Sequence, residues 1–150
     1  MATRQSTAVT SGIMPDYTLP GLTLCRTAKF TGKVIGSGET IEMIPIPKGA
    51  KIVGMNFAID DATAANATGT EIGDGVSNAR FFNAIDVSAV TAFNLAGEGV
   101  AGAIGYEYKQ DDTIDIYVKK CDTDPATGAN WVMNVFYKMA GSMDDEDNIA

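Results

Sequence analysis

Acidic side chains are the residues here with the numbers to do chemistry: there are nineteen Asp and Glu, no histidine, and only two cysteines. Without histidine the sequence lacks the usual general base near neutral pH and the most frequent metal ligand. Ser-His-Asp and Cys-His centres are excluded outright. A pair of carboxylates could still hydrolyse a glycosidic bond, one donating a proton while the other attacks or activates water. Asp60, Asp61, Asp74, Asp111, Asp112 and Asp115 are the candidates. That chemistry calls for a long cleft lined with aromatics, and the chain has one Trp and five Tyr. Asp60–Asp61 and Asp111–Asp112 also fall where the chain turns, and Asp favours turns because its carboxylate bonds nearby backbone N–H groups. Turn chemistry is the better reading, so no catalytic residue is assigned and the chain is read as a non-enzyme.

Metal and cofactor signals are equally thin. Asp122, Asp124 and Gly128 resemble part of a calcium loop, but Pro125 and the lack of a closing Glu break the EF-hand spacing. Cys25 and Cys121 have no metal-like spacing and read as two reduced, partly buried thiols, with a disulfide open only if they meet in space. Gly36–Glu39 and Gly73–Asn78 are glycine turns without the lysine of a phosphate cradle. No metal ligand and no cofactor is assigned. Tyr106, Tyr108 and Tyr117 could form an exposed aromatic patch for a sugar or a protein, although cross-strand packing explains them as well.

Period-2 alternation is what must position any of these groups. In residues 22–31, Leu22, Leu24, Ala28 and Phe30 share one side, with Arg26 as the exception. Ile41 and Met43 alternate with Thr40 and Glu42; Val53, Met55, Phe57 and Ile59 share a face opposite Ile52, Gly54, Asn56 and Ala58. Residues 70–74 and 79–82 read as short strands. Ile114, Ile116 and Val118 face one way from Asp115, Tyr117 and Lys119. Trp131, Met133, Val135 and Tyr137 alternate with Val132, Asn134, Phe136 and Lys138, and the apolar Val132 and Phe136 suggest a central strand or one facing a partner subunit. Ile85, Ala89, Ala92 and Phe93 fit one face of a short helix. Sixteen glycines and frequent Asp, Asn and Pro separate about eight short strands. The expectation is an all-β single β-sandwich, with jelly-roll topology as a refinement that strand order must decide.

The domain is expected over residues 21–140, with 1–20 as an extended N-terminal arm or disordered leader and 141–150 as a short acidic C-terminal tail. Pro15 and Pro20 oppose a regular helix in the leader, and it is hard to see that segment within the core. Charge divides along the chain. Residues 1–33 carry Arg4, Arg26, Lys29 and Lys33 against Asp16 alone, a net +3, while the whole chain is -8. An acidic body repels phosphate backbones, so no nucleic-acid partner is expected. No stretch approaches the ~20 apolar residues of a membrane span, and the first twelve residues lack the apolar centre of a signal peptide. Synthesis in a cytoplasm and no membrane partner are the corresponding expectations.

Three segments carry a resemblance: IPIPKGAKIVGMNFAID (44–60), IGDGVSNARFF (72–82) and GYEYKQDDTIDIYVKK (105–120). A strand opened by Pro-x-Gly-Ala, a Gly-Asp-Gly turn followed by Arg-Phe, and a late Asp-Thr-Ile-Asp strand resemble small structural proteins of tailed bacteriophages. The resemblance covers roughly residues 40 to 138. It implies a virion component on the capsid surface, of the capsid decoration or cement kind, bound to the major capsid protein or another virion protein and assembled as a homotrimer. A head-fibre base, tail or baseplate protein is the alternative, and a carbohydrate-binding β-sandwich module is a further one. Arg4, Tyr17, Arg26, Lys29 and Lys33 are the expected partner-binding residues, because a basic leader can meet an acidic surface.

Overall fold

The computed structural model describes residues 3–12, 22–32, 37–61, 69–119 and 129–139. The chain runs β1 (Thr3–Gln5), α1 (Thr7–Thr10), β2 (Leu24–Gly32), β3 (Glu39–Ile46), β4 (Ala50–Asp61), β5 (Thr70–Asp74), β6 (Phe82–Ile85), β7 (Thr91–Asn94), α2 (Leu95–Glu98), β8 (Asp112–Val118) and β9 (Ala129–Met139). Two sheets form, one in the order β1-β3-β8-β5-β6 and the other β2-β9-β4-β7. The structure is the expected all-β sandwich. From β2 to β9 the chain changes sheet at every step except β5 to β6. Every strand pairing is antiparallel except β1 on β3, which is parallel.

Alternation explains most of the core. In β8, Ile114, Ile116 and Val118 are buried between half-buried neighbours; in β9, Trp131, Met133, Val135, Tyr137 and Met139 are buried likewise. Side chains two apart leave a strand on the same side, so each sheet turns one apolar face inward. Trp131 stands at the middle of the contact. Its ring meets Phe30 with centroids 6.2 Å apart and Phe57 edge-on at 5.8 Å. Phe57 continues to Phe93 on β7 at 6.5 Å, and Phe93 meets Phe82 of the opposite sheet at 6.3 Å. A chain of aromatic rings thus ties one sheet to the other, in the offset and edge-on arrangements that ring quadrupoles favour.

Two irregularities interrupt the alternation, and the first reverses an expected face. The register of β4 against β9 shifts between Ile52 and Gly54. Ile52 therefore points inward with Met55, Phe57 and Ile59, and Val53, expected on that face, is only half-buried. A second shift in β3, between Glu42 and Ile44, buries Met43 and Ile44 together. One extra residue on one strand is a β-bulge, and it inverts the alternation beyond it.

The helix expected around Ile85–Phe93 is absent. Those residues form the end of β6, a turn in which Asp86 Oδ1 accepts from Ser88 N (2.9 Å), and the start of β7. Pairing of β6 to β5 and of β7 to β4 satisfies the backbone there and overrides the apolar spacing. A single helical turn, α2, begins only at Leu95, capped by Asn94. The short strand expected over 79–82 starts at Phe82, because Arg80 and Phe81 belong to the preceding turn.

Within the leader, residues 3–12 lie on the chain's own body: β1 extends the β3 edge, and α1 packs against β2 and β3 with Ala8 in the core cluster. A place in the core, hard to see from sequence, is taken by Ser6 and Ala8. Residues 13–21 and the acidic tail lie outside the described residues.

Truncating Trp131 to Ala is expected to cost about 3–5 kcal/mol, read as a lower urea midpoint. Val76→Ala, at a side chain 74% exposed, should stay within about 0.5 kcal/mol of the parent.

Candidate functional site

The densest polar chemistry lies at one end of the sandwich, where β5 gives way to the Gly73–Phe81 turn. Asp74 is 1% exposed, and its carboxylate is surrounded by donors. Oδ1 accepts from Val76 N (3.0 Å), Ser77 N (2.9 Å) and Arg80 Nη2 (3.3 Å). Oδ2 accepts from Arg80 Nε and from the Tyr108 hydroxyl (3.1 Å). The Arg80 guanidinium also lies 3.8 Å above the Tyr106 ring, which meets Tyr108 edge-on at 5.1 Å.

Burial pushes the Asp74 carboxyl up, but the hydrogen bonds from Arg80, Ser77 and Val76 and the Arg80 charge outweigh it, leaving the group below its ordinary value. Burial raises the Tyr108 phenol, and the neighbouring Asp74 charge raises it further. The pair is therefore fixed as carboxylate and guanidinium beside a protonated phenol. Both Asp74 oxygens are engaged with neighbours, and the physical role of the pair is that of a fastener. Backbone bonds extend it: Val100 N donates to Phe81 O (2.8 Å), Gly49 N to Tyr108 O (2.7 Å) and Ile52 N to Tyr106 O (2.9 Å). The turn 74–81 and the loop 99–111 are thus locked to each other and to β4.

A second acidic group lies on the outer side of the β1-containing sheet. Glu42 of β3 and Asp115 of β8 are direct register partners, an arrangement that like charges make unfavourable. Burial raises Asp115 to about 7, and Glu42, Asp112 and Asp74 raise it too, against the hydrogen bond from the Thr113 hydroxyl (2.7 Å). Its neighbour in register on β5 is Gly73, and a Cβ there would overlap the Ser77 carbonyl oxygen. Only glycine lets the turn fold down at this point. Among the described residues no three Asp, Glu or Cys side chains converge as a metal ion would need.

The fastened loops present apolar tips to solvent. Val76 projects from the turn, while Val100 and Ile104 project from the loop locked to it. Exposed aliphatic side chains on loops held in place are candidates for a contact surface. The outer side of the other sheet is also partly apolar. Phe136 lies over Gly54, 3.5 Å from where a Cβ would stand, with Val132 and Ala58 half-buried nearby in register. Exposed Lys29 pairs in register with Val132.

The sequence-expected contact residues scatter. Lys29 is exposed on that outer side. Arg4 pairs with Glu39 (Nε–Oε2 3.4 Å). Arg26, opposite Val135, lies on the inward side, half-buried, and its Nε has no hydrogen-bond partner among the described residues. Tyr17 and Lys33 lie outside the described residues, as does the 122–128 segment. Cys25, expected to be partly buried, is exposed because it shares the solvent side of β2 with Thr27 and Lys29; Cys121 lies outside the described residues. The tyrosine patch does not assemble, since Tyr108 is 2% exposed and Tyr106 is covered by Arg80. Sequence reasoning missed the Asp74–Arg80 pair. Its signal was an Asp in a Gly-Asp-Gly turn with an Arg six residues on.

No protein-family model matches the sequence, and no curated protein matches it either. Solved structures do match. A chain titled "Capsid of Ralstonia phage GP4" superposes with a TM-score of 0.76 at 18% identity, over 94% of this chain and 100% of that one. The fold is shared with chains of phage capsid structures. A chain of the cyanophage Pam1 capsid asymmetric unit matches at 0.65 and 18% identity, over 84% of this chain and 91% of that one. A chain of the acid-stable capsid of Helicobacter pylori bacteriophage KHP30 matches at 0.56 and 15%, over 81% and 90%.

Asp74→Ala should destabilise the protein by about 3–5 kcal/mol, because Arg80 would be left partly buried without its counter-charge, measured by chemical denaturation. Asp115 gives a pH signature of the opposite kind to a paired carboxylate. Its folded-state value, about 7, lies above the usual carboxylate range, so the folded state holds a proton that the unfolded chain has lost. Its contribution to stability is full below about pH 4 and is lost as pH rises towards 7. Asp115→Asn should remove that decline from a plot of unfolding free energy against pH; an unchanged slope would refute the assignment.

Proposed function

We propose that this chain is a structural protein of a bacteriophage virion and that it decorates the head, binding the assembled shell and cementing it. The observation that carries this reading is the end-to-end likeness to the chain in the Ralstonia phage GP4 capsid. That likeness spans 94% of this chain and all of the matched chain. The strand order supports the same reading: β2-β9-β4-β7 faces β3-β8-β5-β6, with the chain crossing between them at all but one step, which is the arrangement of a jelly roll with β1 added at an edge.

A decorating subunit needs a rigid surface that excludes water from a neighbour. The loop end offers this, because the Asp74 carboxylate fixes the loops that carry Val76, Val100 and Ile104 before any partner arrives. Preorganisation of that kind lowers the entropy cost of binding. The partner on this reading is the major capsid protein, the location is the outer surface of the capsid, and the assembly is a homotrimer. Lys29 supplies an exposed cation for an acidic part of the shell.

The test is addition of the purified protein to particles that lack it, followed by cryo-electron microscopy. Density on the head exterior is expected. Density on the tail instead would overturn decoration and leave a tail or baseplate role, while no density at all would remove the virion reading. Val76→Asp with Ile104→Asp should reduce particle binding at least tenfold, about 1.4 kcal/mol, with the thermal midpoint unchanged.

A further inference from the structure

β1 is set apart from the other described strands by its pairing. It runs parallel to its neighbour, contributes three residues, and sits at the free edge of β3. A strand laid on a sheet edge gains main-chain hydrogen bonds from the edge and specificity from the side chains beside it. Both are present. Ser6 N donates to Glu42 O at 2.9 Å, and the Ser6 hydroxyl bonds the Met43 carbonyl. Arg4 meets Glu39, and Gln5 Nε2 donates to Glu42 Oε2 at 2.7 Å. Ala8, 7% exposed, closes the core between the two sheets, as α1 touches both β2 and β3.

The seat is specific, yet little is buried in it. Ser6 and Ala8 are the only fully covered side chains among those described in residues 3–12. Undocking the segment therefore removes few apolar contacts, but it leaves the carbonyls of Glu42 and Met43 without partners and opens the core at Ala8. Such an edge demands an occupant. The best-matched occupant is the same ten residues, whether from this chain or from another copy, because every contact would be identical.

We infer that β1–α1 is an exchangeable edge strand, and that at high local concentration it seats on β3 of a second copy of this chain, linking subunits by strand exchange. Nine residues join Gly12 to Leu22. Nine residues reach at most roughly 30 Å when extended, which sets how near the acceptor must lie. The tethered segment competes with an effective concentration of about millimolar, so exchange is favoured where copies are crowded. The inference does not depend on what the protein assembles with.

Gln5 and Glu42 are register partners, and neighbouring strands lie about 4.8 Å apart, within the span of a disulfide. Two full-length chains on a Cys25→Ser, Cys121→Ser background, one carrying Gln5→Cys with a size tag and the other Glu42→Cys, are mixed across a concentration series and oxidised. Expected is a reducible heterodimer exceeding its statistical share over the two homodimers, and rising with concentration. A heterodimer at only its statistical share, or no cross-link approaching millimolar protein, would overturn exchange. The double variant Gln5→Cys/Glu42→Cys in one chain should form the intramolecular disulfide when dilute. Its failure to do so would overturn the seat itself.

Discussion

Everything in this molecule rests on two sheets keeping their apolar sides pressed together. Trp131 is the centre of that contact, and the ring chain from Phe30 through Trp131, Phe57 and Phe93 to Phe82 spans both layers. Burial of aromatic and branched side chains is the dominant favourable term in folding. Because packing at this density tolerates little change in volume, the loops at the sandwich end inherit a fixed frame.

That frame explains why the buried charge at Asp74 is tolerable. A carboxylate removed from water must be compensated by donors; the turn supplies two backbone N–H groups and a guanidinium, and the loop 99–111 adds a phenol. The outcome is order in the loops and not reactivity. Asp115 is the counter-example on the outer side of the sheet, a carboxylate beside Glu42 with one hydroxyl donor, and its proton is correspondingly hard to remove. Two carboxylates on neighbouring strands thus differ in protonation because one has cationic and amide donors and the other has an anion.

Much of the fold could be read in the sequence because half-buried strands display their faces directly. β5, β8 and β9 fall where alternation puts them, since Ile114 and Ile116 alternate with polar neighbours and Trp131, Met133 and Val135 share the buried face of β9. The reading fails where a single residue is inserted, at Val53, because a bulge shifts phase without any change in composition. It fails again at Ile85–Phe93, where apolar spacing matched a helix by coincidence and strand pairing decided otherwise. The candidate site was less legible. Arg4 was expected to meet a partner, but it finds its carboxylate within the chain at Glu39, and the Asp74–Arg80 pair is likewise brought together only by the fold. The tyrosines were visible as a group, but the burial of Tyr106 and Tyr108 depends on loop 99–111 folding back on β4.

The edges of the two sheets differ in length, and the difference has a consequence for colloidal behaviour. β6 and β7 offer only four residues each, and β6 is further interrupted by Ala84, whose φ of 54° turns its backbone out of the extended form. Neither can template a foreign strand for more than a few bonds. β2, nine residues long, is the exception. Its solvent side carries Lys29 among threonines, and a charged lysine on an open edge is what keeps such a ribbon from zipping onto its neighbours as cross-β. Lys29 is thus the charge that guards the longest of the described edge strands against pairing with a neighbour.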